Sequence, residues 1–464
     1  MFDLERVARI TAGEFSGKKS NCALSGVSTD SRNMTPGALF IPLRGEYFDG
    51  HDYISQAVKN GAAACLSEEV IEGLSVPVVR VASTLQALGD LAATYRLQLR
   101  GPLVAITGSA GKTTTKEMLA AILEQVGPGL KTAGNFNNLI GLPLTIFNLK
   151  QDDQWAVLEM GTNNLGEIER LTEIAQPTLG LITNIGQAHL DTLHGLDGVS
   201  RAKGELFAGL HGGTAVINLD DRRVASLPVA NGVYKLTYGL SAQAQVRAEK
   251  IAVTAETLEF ELLYEDQRQA IHVPVPGRHN VSNALAAAAA ALVLKVPLEK
   301  IAEGLRSFRP IQGRMNLCPL PCGGLLLDDS YNANPLSVAA ALDALATLKG
   351  QGRRVAVLGD MLELGEGAAQ LHQAVGGKAA EIVDLLIAVG VYAADICQGA
   401  AAAGLKTGQM VQLPDAAAVI DFMQQQQRPG DRILVKGSRG VKLDRVADAL
   451  RNAAEPLPNT QQGS

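Results

Sequence analysis

Cysteine is scarce in this chain: Cys22, Cys65, Cys318, Cys322 and Cys397 are an odd number spread over 464 positions. That argues against a disulfide framework and fits a reducing compartment. Cys318 and Cys322 bracket Pro-Leu-Pro with no His or second Cys pair nearby, so packing rather than metal binding is their expected role. Positive charge is not in excess either. Lys and Arg total 41 against 47 Asp and Glu, a formal charge of -6. No general attraction to nucleic acid or anionic membrane is therefore built in, and any phosphate binding must be local. Apolar runs of about 18 residues, the length that spans a bilayer, are missing. The opening MFDLERVARI carries acids and no apolar core of signal-peptide length, so neither export nor membrane insertion is expected and the chain reads as cytoplasmic. No repeat of fixed period is present.

What remains is an ordinary globular composition, 47% hydrophobic and 19% charged. Its length suggests about three domains. The first hundred residues mix short apolar runs with turns and end in an Ala/Leu-rich helical pattern from Leu85 to Leu99, broken by Arg100-Gly101-Pro102. From Leu103, apolar runs at Leu103–Thr107, Trp155–Met160, Leu179–Asn184 and Ala215–Asn218 read as buried parallel strands. Between Val233 and Val275, alternating segments such as LEFELLY suggest an antiparallel addition, and Asn280–Leu294 reads as a helix. After Phe308-Arg309-Pro310 a second α/β series begins, with strands expected at Leu325–Leu327, Val355–Leu358, Leu385–Val389, Met410–Leu413 and Ile433–Val435. That alternation predicts a doubly wound, Rossmann-like unit. The expected domains are 1–100, 101–312 and 313–454, followed by a disordered tail at 455–464.

The run Ala105-Ile-Thr-Gly-Ser-Ala-Gly-Lys-Thr-Thr-Thr115 follows a strand and leads into a helix expected over Lys116–Gln125, the setting of a phosphate loop. Gly108 and Gly111 let the backbone wrap closely. The N–H groups of Ser109, Ala110 and Thr114 face the anion, Lys112 adds charge, and Thr113 offers a Mg2+ ligand. Ile106 stands where the first Gly of the usual loop would be, so the form is shortened. Glu159 closes a neighbouring strand, where a second Mg2+ ligand or water anchor would sit. His189 follows another strand and is either structural or part of the same cleft. Lys203, by pattern, is a solvated helix lysine. Asn280 follows Pro-Gly-Arg-His and reads as a helix cap, a nucleotide contact, or both. Arg314 could neutralise phosphate or form a plain salt bridge, and Asp329, Tyr331, Asn332 and Asn334 crowd a strand end beside a nucleotide pocket. Lys436 follows a strand at a Gly-containing turn that could receive an anion.

Seven segments occur in order: TGSAGKTTT, TAGNFNNLIGLP, EMG, NIGQAHLD, PGRHNVSNALAA, GRMN and DDSYNANP. Together they resemble the Mur ligase family over nearly the whole chain. The resemblance implies an α/β chain of three domains: a small N-terminal UDP-binding domain, a central P-loop-type ATPase domain with a mostly parallel sheet, and a C-terminal Rossmann-like domain. It implies a reaction in which ATP phosphorylates a carboxylate and an amine displaces phosphate. Lys112 and Thr113 match the family's γ-phosphate and first Mg2+ positions, Glu159 and His189 its metal residues, and Lys203 a lysine carbamoylated in many members. Asn280 and Asn334 match adenine-side positions, and Asp329 a ribose or phosphate contact. Thr29, Asp30, Ser31 and Arg32 would meet the uridine diphosphate, and Asn135, Asn137 and Asn138 the muramoyl-peptide and phosphate region. Gly359-Asp-Met-Leu-Glu-Leu-Gly365, and the absence of Asp-Asn-Pro-Arg, resemble the branch joining D-alanyl-D-alanine to UDP-N-acetylmuramoyl-tripeptide rather than the branch adding a diamino acid. ATP, Mg2+ and those two substrates are the expected partners of a monomer. A non-catalytic nucleotide-binding scaffold is the rival of another class.

Overall fold

The structure, a computed structural model, describes residues 2–16, 22–321 and 323–452. Cys322 and the tail expected at 455–464 lie outside the described residues. Three sheets, of five, nine and six strands, organise the chain. In the first, Val78–Arg80, Ala64–Ser67, Leu39–Phe40 and Val27–Ser28 run parallel, and Glu14–Ser16 closes one edge antiparallel. The helix Thr84–Arg96 follows, begun by Ser83, whose side chain accepts from the Gln86 N–H.

Leu103–Thr107 lies in the middle of the second sheet between Trp155–Glu159 and Leu179–Ile182, parallel to both. All three strands are buried throughout, as unbroken apolar runs require when helices cover both faces. The expected antiparallel addition begins later than Val233. Tyr234–Gly239 runs parallel to Thr214–Asn218, Val246–Val253 begins parallel to Tyr234–Gly239, and only Leu258–Tyr264 and Gln267–Val273 pair antiparallel. Alternating residues report a half-exposed face, which either strand direction can supply. Direction was set by the short crossover through the helix Arg222–Ser226.

The helix after the phosphate loop starts at Lys112, not Lys116, and runs to Leu123. Three consecutive threonines are weak helix formers. Tertiary bonds compensate: the Thr113 hydroxyl donates to Glu159 Oε2 at 2.8 Å and Thr115 to Asn283 Oδ1 at 3.4 Å. Met118, Leu119 and Ile122 pack with the alanine face of Asn280–Val293, whose small side chains let the two helices meet closely.

In the third sheet Leu325–Asp328, Arg432–Lys436, Arg354–Gly359, Leu385–Val389 and Met410–Leu413 run parallel, with Asn316–Pro319 as an antiparallel edge. The last strand in sequence, Arg432–Lys436, inserts between the second and third. Such a reversal of strand order opens a crevice at the carboxyl ends of the strands.

Candidate active site

Both large sheets turn carboxyl ends toward one cavity of about 1040 Å³. From the central sheet the phosphate loop enters. Gly108 has φ +148°, and a Cβ there would stand 1.9 Å from Thr183 Oγ1. Gly111, at φ +81°, is the N-cap of the following helix and supplies no side-chain cap. The first-turn N–H groups of Lys112, Thr113 and Thr114 are therefore free of capping and point toward the cavity, an anion site by geometry. Ser109 and Ala110 differ from expectation. Their N–H groups donate to Asn184 O and Asn184 Oδ1, at 3.0 and 2.9 Å, so they hold the loop rather than face an anion.

Asn184 was not singled out from the sequence, and neither was Thr183, whose hydroxyl donates to Ala110 O at 2.7 Å. Their signal is present in the sequence: two polar residues immediately after a buried strand, in the same segment as His189.

Glu159, only 2% exposed, accepts from Thr113 and, at 2.9 Å, from Asn137 Nδ2. Both donors are neutral, and among the described residues no ion pair reaches this carboxylate. A buried carboxylate with neutral donors beside a threonine hydroxyl is a donor set that suits Mg2+. Among the described residues no three His, Cys, Asp or Glu form a complete metal cage. Mg2+ takes few protein ligands and shares the rest with phosphates and water, so the two observations agree. Burial pulls the Lys112 ammonium below its usual range, Glu159 opposes that, and the Arg314 charge adds to it. Lys112 Nζ donates to Gly108 O at 2.7 Å.

His189 lies on the cavity wall with φ +54°. Its Nδ1 stands 2.5 Å from Glu363 Oε2, at an angle outside that of a hydrogen bond. Lys203 is not a solvated helix lysine: its side chain is 1% exposed. Burial, and then the nearby Lys112 charge, push its pKa well below the ordinary range.

Asn135, Asn137 and Asn138 line the cavity. Asn138 Oδ1 also accepts from the Gly141 N–H at 2.8 Å, which fixes the turn. Asn280 is not the cap. His279 holds that position, and Asn280 lies behind the wall, donating to Pro276 O at 2.7 Å and accepting from Asn283 Nδ2 at 2.8 Å. Asn283, also passed over in the sequence, faces the cavity in its place.

The C-terminal sheet contributes Arg314, Asp329, Tyr331, Asn332, Asn334 and Lys436. The Arg314 guanidinium stacks on the Tyr331 ring at 4.1 Å rather than forming a salt bridge. Lys436 Nζ donates to Asp329 Oδ2 at 2.5 Å and to Asn332 O at 2.9 Å. Asn334 caps the helix Pro335–Thr347 through Oδ1, while its Nδ2 donates across to Ser109 O at 3.2 Å, joining the two domains at the phosphate loop. The turn Thr29–Arg32 stands away from this cavity wall. There Arg32 Nε donates to Asp30 Oδ1 at 2.9 Å, and Asn60 Nδ2 donates to Ser31 O at 2.8 Å.

Three domain descriptions match in series: "Mur ligase family, catalytic domain" over residues 23–96, "Mur ligase middle domain" over 106–291 and "Mur ligase, glutamate ligase domain" over 313–439. The UDP-N-acetylmuramoyl-tripeptide--D-alanyl-D-alanine ligase of Escherichia coli (strain K12) is 38% identical over 97% of this chain and 98% of its own. The chain belongs to the Mur ligase family. Within that family it is also 33% identical to the enzyme of the same name from Bacillus subtilis (strain 168), over 96% of this chain and 98% of the relative. A crystal structure of MurF from Acinetobacter baumannii superposes with a TM-score of 0.89 at 34% identity, covering 97% of this chain and 98% of that one. MurF ligase from Thermotoga maritima, solved in complex with ADP, gives 0.81 at 26% identity over 92% and 97%.

Proposed function

We propose that this chain joins D-alanyl-D-alanine to UDP-N-acetylmuramoyl-tripeptide, converting ATP to ADP and phosphate, as a step of peptidoglycan synthesis. The observation that carries this reading is the meeting of two half-sites. The uncapped helix start at Lys112 and the buried Glu159 face Arg314, Asn334 and Lys436 across one cavity, in a chain collinear with ligases of that name. None of its described helices is long and apolar enough to cross a membrane. It acts in the cytoplasm, where ATP and the nucleotide-linked acceptor are made.

A carboxylate resists attack by an amine because its oxygen is a poor leaving group. Transfer of the γ-phosphoryl group to that oxygen releases ADP and leaves an acyl phosphate. The amine nitrogen then bonds to the acyl carbon, the C–O bond breaks with its electrons on the leaving phosphate, and the nitrogen loses a proton to give the amide. The first-turn N–H groups and Lys112 hold the phosphates, and Arg314 counters charge as it accumulates between donor and acceptor. Thr113 and Glu159, with His189 and a carbamoylated Lys203 as further ligands, would hold Mg2+, which would supply charge neutralisation there. Asn135, Asn137 and Asn138 lie on the acceptor side, and Thr29–Arg32 take the distant uridine diphosphate end. Lys203 enters as a carbamate: a buried neutral amine adds CO2 and loses a proton, becoming an anionic oxygen donor.

The test is phosphate release by purified protein with Mg-ATP and UDP-N-acetylmuramoyl-tripeptide, comparing D-alanyl-D-alanine with single amino acids. Turnover with the dipeptide alone, and a pentapeptide product, is expected. Turnover that needs a diamino acid and a dipeptide acceptor would make the chain a ligase for the third residue. Silence with every amine would leave a nucleotide-binding scaffold.

A further inference from the structure

Glu363 belongs to the run Gly359–Gly365, at the carboxyl end of a C-terminal-domain strand, yet its partners lie in the central domain. Its carboxylate meets His189 Nδ1 at 2.5 Å, and its carbonyl accepts from the Asp191 N–H at 3.2 Å. Both members of the pair hold left-handed backbone, φ +54° at His189 and +64° at Glu363. Two non-glycine residues in that conformation, facing each other across a domain boundary, are an ordering that the surrounding structure must impose. The imposing contacts are local. Leu362 N donates to Ser438 Oγ at 2.9 Å, the Ser438 hydroxyl donates to Ala333 O at 3.3 Å, and the next residue, Asn334, reaches Ser109 O in the phosphate loop. One tied cluster on the C-terminal domain thus touches the central domain twice, at the phosphate loop and at His189.

We propose that Glu363 is a positioning residue: it fixes the His189 ring through Nδ1 so that Nε2 is presented to the metal site, and it does so only when the C-terminal domain is docked. A carboxylate held against the far nitrogen of a histidine restrains the orientation of the ring for a ligand on the near one. Because the carboxylate comes from another domain, the metal site is complete only in the docked arrangement. The inference rests on the reading of His189 as a metal-side residue given above.

The experiment measures Mn2+ binding by electron paramagnetic resonance to the full chain with a non-hydrolysable ATP analogue and UDP-N-acetylmuramoyl-tripeptide, without the amine, for the wild type, Glu363→Ala and Glu363→Asp. The expected result is a Mn2+ dissociation constant raised about tenfold or more in Glu363→Ala, in the range usual for loss of a carboxylate behind a metal-side histidine, with partial recovery in Glu363→Asp. Metal-free ADP binding should stay unchanged. In turnover, the half-saturating Mg2+ concentration should rise more than kcat falls. Wild-type binding of Mn2+ with an equal constant in Glu363→Ala would overturn the proposal and leave the site reading standing. A wild type that binds no Mn2+ beside these ligands would take both down. Glu363→Gln guards against a folding artefact, since it keeps the shape and an acceptor oxygen facing Nδ1; Mn2+ affinity nearer the wild type than Glu363→Ala is expected, and affinity as weak as in Glu363→Ala would overturn positioning through Nδ1.

Discussion

A lysine 1% exposed, with no carboxylate partner among the described residues, must give up its proton or change the sign of its charge. Lys203 is in that position, and the Lys112 charge presses the same way. A neutral amine is the form that adds CO2, so the burial that would make an ammonium costly prepares the carbamate. Lys203→Ala is expected to lose most turnover, and added acetate or bicarbonate to restore part of it by supplying the missing oxygen donor. Undiminished turnover in Lys203→Ala would remove the residue from the mechanism. An intact mass unshifted under CO2-preserving conditions, in fully active protein, would remove the carbamate. None of this was legible from helical pattern, which marks Lys203 as solvated. Burial depends on which helix face meets the sheet, and one lysine does not move that pattern.

At the scale of single elements, sequence legibility followed burial. Unbroken apolar runs such as Leu103–Thr107 and Leu385–Val389 announced strands because both faces are covered. Tyr234–Gly239 misled because its outer residues alternate and direction lies in the connection, not the strand. The start of the phosphate-loop helix misled because Thr113 and Thr115 are held by Glu159 and Asn283, partners distant in sequence. Asn280 and Asn283 were open to confusion for a related reason: three residues apart, they share a helix face, and only packing decides which one reaches the cavity.

Asn334 joins two such jobs and lets them be separated. Its Oδ1 caps the helix Pro335–Thr347 by accepting from Ser337 N at 2.9 Å, while its Nδ2 donates to the phosphate loop. Asp caps about as well as Asn, so Asn334→Asp should change stability by no more than about 0.5 kcal/mol in thermal unfolding. It loses the donor and sets a negative charge against a carbonyl beside the anion site. A rise in the KM for ATP of about tenfold or more is expected, on the scale of about 1.4 kcal/mol or greater. An unchanged KM at unchanged stability would reduce the bond to Ser109 to an incidental contact.

The three domains are not fastened equally. The N-terminal domain is bolted to the central one: buried Arg96 donates from Nε to Ala175 O at 2.8 Å and from a terminal nitrogen to Gln176 O at 3.1 Å, and Arg170 pairs with Asp90 at 2.5 Å. The C-terminal domain follows a segment running from the helix end at Ser307 to the strand start at Asn316, in which Gly313 takes φ +74°. Among the described residues, its polar grip on the catalytic loops is the bond from Asn334 to Ser109 and the Glu363 contacts with His189 and Asp191. Exposed ion pairs and single hydrogen bonds contribute about 1 kcal/mol each, too little to hold a domain shut against the freedom it gains on opening. Ligand phosphates bridging Lys112 and Arg314 add the missing attraction, so docking should follow ligand rather than precede it. Small-angle scattering is expected to show a larger radius of gyration for the free protein, and a decrease when Mg2+, a non-hydrolysable ATP analogue and UDP-N-acetylmuramoyl-tripeptide are all present. Arg96→Ala would loosen the other end without abolishing that decrease. A radius of gyration that does not respond to the full ligand set would mean that these contacts already lock the domain, and closure would not be a step of the reaction.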